Sequence, residues 1–356
     1  MNPNSLALTM AFVTTVCLTP VVRYFALRFD FVDHPGERKI HHTPMPLLGG
    51  LAMYLAALVS ITLFIDSDAW AQIIAILGGA TFLLVTGVLD DRNLLHHQIK
   101  LMIAMPLSAI TLIVGGVHFD FFGLLLGSLA PPLLLLVADY LLTFVWVIGI
   151  TAAFSILDHM DGLCAGVAAI AALFFLAFAT FSQQVLVGPL AGAMFGAAVG
   201  FVLWNFKPAK IFMGDGGAMF LGFMMAVLGI KLRFPDLSIT TSWMIPVLIL
   251  GVPIFDTTLI TISRSRRGLL PFSSPGKDHT AHRLVSLGLG VRTAVLGMYA
   301  LGVLSGVLSL AVFALPPWLA AILGGGVLVA GGVGIALIER APYERQKNKK
   351  EQPGAA

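Results

Sequence analysis

Apolar residues fall in long unbroken runs along this chain, without the short alternation of a half-buried strand or the polar face of a surface helix. Eleven runs stand out, at 4–28, 47–65, 72–89, 99–116, 133–155, 163–181, 186–204, 216–231, 242–262, 291–314 and 318–338. Each approaches the roughly 20 residues that a helix needs to cross a bilayer. The pattern predicts an all-α, polytopic integral membrane protein with about eleven transmembrane helices and no sizeable soluble domain. Residues 1–338 form one membrane-embedded domain in this reading, and 339–356 a polybasic tail. No Lys or Arg precedes the first run, so it is expected to be a retained span rather than a cleaved leader. Pro246, Gly251 and Pro253 predict a kink in the ninth.

Composition agrees. Of 356 residues, 58% are apolar and 11% are Asp, Glu, Lys or Arg, less than half the roughly 25% charged content of soluble domains. Cys17 and Cys164, far apart and both in or beside apolar runs, are expected to be small buried hydrophobes rather than a disulfide or a metal site. The segment FDFFG, 119–123, is expected to lie at the membrane interface as a hairpin.

Charge distribution adds orientation. With the N-terminus outside, the loops after odd-numbered runs and the run ends beside them hold all but Lys231 and Arg233 of the 21 basic residues. The positive-inside rule therefore puts the N-terminus outside and the C-terminus in the cytoplasm.

The acidic residues carry the chemistry. Asp90 and Asp91 close the third run, Asp158 and Asp161 follow the fifth, and Asp215 opens the eighth, all on the same side. A carboxylate at membrane depth costs about 2.5 to 3.5 kcal/mol on insertion scales, so several at one level imply use. Asp158 and Asp161, three apart, share a face if their segment is helical, which implies a divalent metal or a Lys or Arg partner between them unless the charges splay into water. Asp215 lies among Gly214, Gly216 and Gly217; such a helix start leaves N–H groups open to an anion, and a carboxylate there can hold Mg²⁺. Lys100 supplies a cation to the same mouth. In the last cytoplasmic loop, His279, His282 and Arg283 would share one donor face on a helix, suited to phosphate oxygens. Acidic helix ends ringed by Lys, Arg and His meet the needs of a metal-bound polyphosphate handled beside a membrane.

Five motifs, in order, carry a resemblance: DHPGERKIHHTPMPLLGG, DDR with Lys100, DHMDGL, NFKPAKIFMGDGG, and VPIFDT followed by KDHTAHRL. They resemble the polyprenyl-phosphate N-acetylhexosamine-1-phosphate transferases, and Arg38, Lys39 and His41 are similar to the N-acetylglucosamine-type branch. Ala281 replaces a histidine of that branch's late motif, and His159 stands where the family carries a small residue or asparagine.

The resemblance implies transfer of a sugar 1-phosphate from a UDP-N-acetylhexosamine to undecaprenyl phosphate, with release of UMP, at the cytoplasmic face of the bacterial inner membrane. It implies Mg²⁺, with Mn²⁺ as the alternative, held by Asp215 and Asp91. Asp90 or Asp91 would deprotonate or align the lipid phosphate, Asp158 and Asp161 would hold metal or substrate, and Lys100 would neutralise phosphate. Arg38, Lys39, His41, Asn205, His279, His282 and Arg283 would engage the nucleotide sugar, with Asp256 a secondary site. The partners implied are the lipid, the nucleotide sugar and the membrane, without nucleic acid; a homodimer stays open. The rival reading is an ion-coupled transporter, which places its carboxylates near the bilayer midplane rather than at helix ends.

Overall fold

Each of the eleven apolar runs forms helix in the computed structural model, which describes residues 2–34, 43–65, 69–92, 94–95, 99–269 and 276–341. The order is α1 (Pro3–Arg28), β1 (Val32–Asp33), β2 (Met45–Pro46), α2 (Gly49–Phe64), α3 (Trp70–Asp91), a π-helical turn (Lys100–Ala104) leading into α4 (Met105–Val114), and α5 (Phe121–Leu126). Then follow α6 (Pro132–Leu157), α7 (Leu163–Phe181), α8 (Val187–Asn205), α9 (Gly214–Lys231), α10 (Ile239–Ser242), α11 (Met244–Ile249), α12 (Gly251–Arg266), α13 (Thr280–Ser286), α14 (Val291–Ala314) and α15 (Pro317–Ile338).

Among the described residues, eight helices are long and apolar enough to cross a membrane, and two shorter apolar ones cover Gly49–Phe64 and Lys100–Val114. The ninth run is sharply broken rather than gently kinked: Ile239–Ile249 and Gly251–Arg266 meet at 78°. Pro253 has no N–H with which to bond back to Ile249 across the break. Gly251 there admits Ser305, whose Oγ would lie 2.3 Å from a Cβ.

Helix α9 is the hub, packed against α2, α3, α6, α7 and α8 and buried over most of its length. Small residues make this possible. A Cβ on Gly50 would lie 2.2 Å from the Gly217 Cα, and one on Gly87 would lie 2.3 Å from the Gly216 Cα. Such backbone-to-backbone approach is how helices associate in lipid, where no hydrophobic effect drives them together. Outside this hub, large apolar side chains such as Val114 (83% exposed) and Leu133 (73%) face outward. In water they would be an aggregation hazard; in a bilayer they meet their natural solvent.

Two local expectations change. The FDFFG segment starts a short helix, not a hairpin, because the buried Asp139 carboxylate accepts the N–H groups of Phe122 (2.8 Å) and Gly123 (3.3 Å) at its first turn. Cys164 is buried as expected, whereas Cys17 is exposed on α1.

Candidate active site

One end of the bundle gathers the C-terminal ends of α3 and α6 with the N-terminal end of α9. Lys100 pairs there with Asp215 and, at 3.0 Å, with Asp90. The Asp215 N–H donates to Asp91 Oδ1 at 3.1 Å, fastening α9 to the end of α3. Gly214 makes this approach: its φ of +74° favours glycine, and a Cβ there would lie 2.5 Å from Asp91 Oδ2. The glycines of the GDGG motif are thus occupied in close packing, not left as an open anion cradle.

The Gly87–Gly216 contact sets the spacing of these carboxylates, one turn below Asp90 and Asp91 on α3 and beside Asp215 on α9. Gly87→Ala forces the helices apart, and overpacking of this kind costs about 1 to 3 kcal/mol. A lower melting temperature together with reduced turnover is the expected outcome, and a thermal melt unchanged from wild type would contradict the contact.

Asp158 and Asp161 do not share a helical face. Their segment is a turn between α6 and α7, in which the Asp161 carboxylate accepts the Ala209 N–H at 3.2 Å. Asn205 is buried and bonded to backbone at both ends of its amide: its Oδ1 accepts from Gly162 N–H (2.9 Å) and its Nδ2 donates to the Ile211 carbonyl (2.9 Å). It clips the Asp158–Gly162 turn to the 206–213 loop. That loop is tied in turn to α2, where Gly49 and Gly50 N–H groups donate to Phe212 and Met213 carbonyls, each at 2.9 Å.

Burial, then the charges of Asp215 and Asp161, push Asp158 up to about 7. An acid whose folded pKa lies above its unfolded value near 3.8 favours the fold most below that value. This contribution is lost as pH rises through about 7. In metal-stripped protein, Asp158→Asn is therefore expected to raise the melting temperature at pH 8 and to leave it nearly unchanged at pH 4. Equal shifts at both pH values would show that charge crowding is not the cause.

This donor set fits a hard divalent cation. Asp91 and Asp158 each lie close enough to Asp215 to feel its charge, and one or two such carboxylates, with water and phosphate oxygens, are the donor chemistry that Mg²⁺ favours.

A second group lies beside the first, built by α12, α13 and the Asp158–Gly162 turn. Asp256, 1% exposed, accepts the Thr280 N–H at 2.7 Å and lies 2.9 Å from His279 Nδ1. His159 packs against the rings of His279 and His282, with centroids 4.0 and 4.7 Å away. Burial, then His279 and Lys277, bring His282 down to about 4; burial, then His279, holds His159 well below the usual range. Both are neutral at pH 7.

Arg283 departs from its expected place on a donor face. It is completely buried and donates to the Asp278 carbonyl (2.8 Å), Ser263 Oγ (2.7 Å) and the Ile338 carbonyl (3.1 Å). Asp278 itself is gripped by Arg264 (2.8 and 3.0 Å) and Arg267 (2.6 Å). Burial would raise its pKa, but the two guanidinium groups hold it well below the usual carboxylate range. These residues anchor α13 and so position His279 and His282. Asp278, Arg264, Arg267 and His159 carry roles that sequence reasoning missed. The usable signal was the three-residue spacing of the arginines on one helix face, opposite an acid preceding the histidines. Arg38, Lys39 and His41 lie outside the described residues.

A cavity of about 540 Å³ lies at the opposite end, lined by Asn2, Asn4, Thr180 and Gln184 among others, and shares nothing with the carboxylates. A smaller apolar groove of about 210 Å³ runs between α7, α8 and α14 past Gly166, Leu173, Val199 and Tyr299.

The glycosyl transferase family 4 profile matches residues 73–233, the stretch that supplies Asp90, Asp91, Lys100, Asp158, Asp161, Asn205 and Asp215. A probable undecaprenyl-phosphate N-acetylglucosaminyl 1-phosphate transferase of Bacillus subtilis (strain 168) is 34% identical over 322 residues, covering 88% of this chain and 86% of the relative. A decaprenyl-phosphate N-acetylglucosaminephosphotransferase of Mycolicibacterium smegmatis is 30% identical over 367 residues, covering 95% and 89%. An undecaprenyl-phosphate alpha-N-acetylglucosaminyl 1-phosphate transferase of Escherichia coli (strain K12) is 27% identical over 291 residues, covering 80% and 77%. With matches that run through nearly the whole chain and a profile centred on the carboxylate cluster, the chain belongs to glycosyl transferase family 4.

Proposed function

We propose that this protein transfers N-acetylglucosamine 1-phosphate from a UDP-activated donor to a polyprenyl phosphate, releasing UMP. The observation that carries the reading is the convergence of Asp90, Asp91, Asp215 and Lys100 at one end of the bundle, with Asp158 close enough to feel the charge of Asp215. The relatives named for this activity support it. The charge count supports an inner-membrane topology with this end in the cytoplasm, where nucleotide sugars are made available.

Chemically, an oxygen of the lipid phosphate attacks the sugar-linked phosphorus, a new P–O bond forms, and the bond to the UMP phosphate breaks. One diphosphate linkage is exchanged for another. Asp90 is committed to Lys100, whereas Asp91 is held by a backbone N–H, so Asp91 is the carboxylate available to align or deprotonate the acceptor. Lys100 offsets charge on the phosphates. Mg²⁺, or Mn²⁺ in its place, would be held by Asp215 and Asp91 and supplies charge neutralisation at the diphosphate. By resemblance His279 and His282, at the start of α13 that Asp256 and Arg283 hold in place, would engage the donor. The isoprenoid tail has an apolar groove beginning at Gly166, four residues beyond the Asp161–Gly162 turn.

The transporter reading is disfavoured by depth, because the carboxylates sit at helix ends. The test is purified protein with undecaprenyl phosphate and Mg²⁺, offered UDP-N-acetylglucosamine, UDP-N-acetylgalactosamine and UDP-glucose in parallel. UMP and lipid product in equal amounts with the first donor, well above the other two, is the expected result; no lipid product with any of them would overturn the assignment.

A further inference from the structure

His159 has no role in the transfer just described, yet both of its ring nitrogens are buried and, among the described residues, without a hydrogen-bond partner. Leaving such groups unsatisfied costs about 1 to 3 kcal/mol, so a buried imidazole with two idle nitrogens calls for an explanation. Its neighbours are more metal ligands. One donor atom from each of His159, Asp256 and His279 can be chosen so that all lie within 4.8 Å of one another. Tetrahedral ligands about 2.1 Å from a zinc ion sit about 3.4 Å from each other, so small side-chain adjustments close the set. His282, stacked on His159 at 4.7 Å, stands at the rim as a fourth candidate.

We propose that His159, His279 and Asp256 form a second metal site, separate from the carboxylate mouth, that takes a transition-metal ion of imidazole preference, Zn²⁺ first. The chemistry of the donors separates the two sites. Imidazole nitrogen with a single carboxylate suits Zn²⁺ and Co²⁺, whereas an all-oxygen set suits Mg²⁺. Support around the ligands is already built: the Thr280 N–H holds Asp256 Oδ1, and the buried Arg283 and the Asp278 ion pairs fix the start of α13. An ion here would join the turn after α6 to α12 and α13, three elements otherwise held by separate contacts. Asp158 is the residue adjacent to His159, so the tie lies next to the reacting groups.

The test uses full-length protein, its affinity tag removed, stripped with chelator and titrated with Co²⁺ in excess Mg²⁺ and without substrate. About one Co²⁺ per chain, with the intense visible bands of a nitrogen-ligated tetrahedral ion that Zn²⁺ then displaces, is expected. His159→Asn should weaken binding at least about tenfold, His159→Cys should restore it, and Asp215→Asn should leave it intact. Absence of those bands in the wild-type protein overturns the site, whether or not the variants fold. So does equal Co²⁺ affinity in wild type and His159→Asn, or loss of binding in Asp215→Asn alone. Because no sugar or lipid is present, failure here leaves the transferase reading standing, and failure of that reading leaves this measurement valid.

Discussion

Asp215→Asn lowers the rate of lipid-linked sugar formation by about 10²- to 10⁴-fold, the range lost when a single charge-stabilising or proton-handling group is removed from an active site. The substitution keeps the shape of the side chain and removes its charge. Folding survives, because Lys100 retains Asp90 as a partner and the Asp215 backbone N–H still reaches Asp91. Relief of repulsion toward Asp158 makes a melting temperature equal to or above wild type the expected companion result. Turnover near wild type in a folded Asp215→Asn protein would remove Asp215 from the chemistry. A collapse of the melt instead would mean that the Lys100–Asp215 pair is structural.

Chelation of divalent cations is expected to reduce turnover to background, and added Mg²⁺ to restore it. The argument is electrostatic. The carboxylates gathered at one mouth face a donor and an acceptor that bring further phosphate charge, more than the single charge of Lys100 balances. Asp91→Asn should raise the Mg²⁺ concentration needed for half-maximal rate and also lower the maximum, if Asp91, as proposed, both holds the ion and faces the acceptor. Full activity in excess EDTA would contradict the metal-assisted reading, as would an unchanged Mg²⁺ requirement in Asp91→Asn.

Helices were readable from the sequence because lipid demands long apolar runs, and each of the eleven runs became helical. The carboxylate mouth was readable for a related reason: charge is scarce in such a chain, and Asp90, Asp91, Lys100 and Asp215 meet as their helix-end positions suggested. The rest depended on approach in space. Arg283 and Asn205 both looked like ligand-facing groups, yet their partners are backbone carbonyls, an N–H and a serine hydroxyl from other segments. No local pattern separates a polar group aimed at substrate from one that satisfies the fold. The Asp158–Asp161 spacing suggested a shared helical face, but Asn205 and Asp161 draw that segment into a turn against the 206–213 loop. His159 meets His279 and His282 from 120 or more positions away, a cluster that only the packing of α12 and α13 against the turn after α6 creates.

The central claim is that phosphate travels with the sugar. A UDP-N-acetylglucosamine radiolabelled at its β-phosphorus and, separately, in its sugar tests this with purified protein, undecaprenyl phosphate and Mg²⁺. The account predicts both labels in the lipid product at the donor's own ratio, and unlabelled UMP released in equal amount. Sugar label in the lipid without the β-phosphorus label, accompanied by labelled UDP, would contradict it.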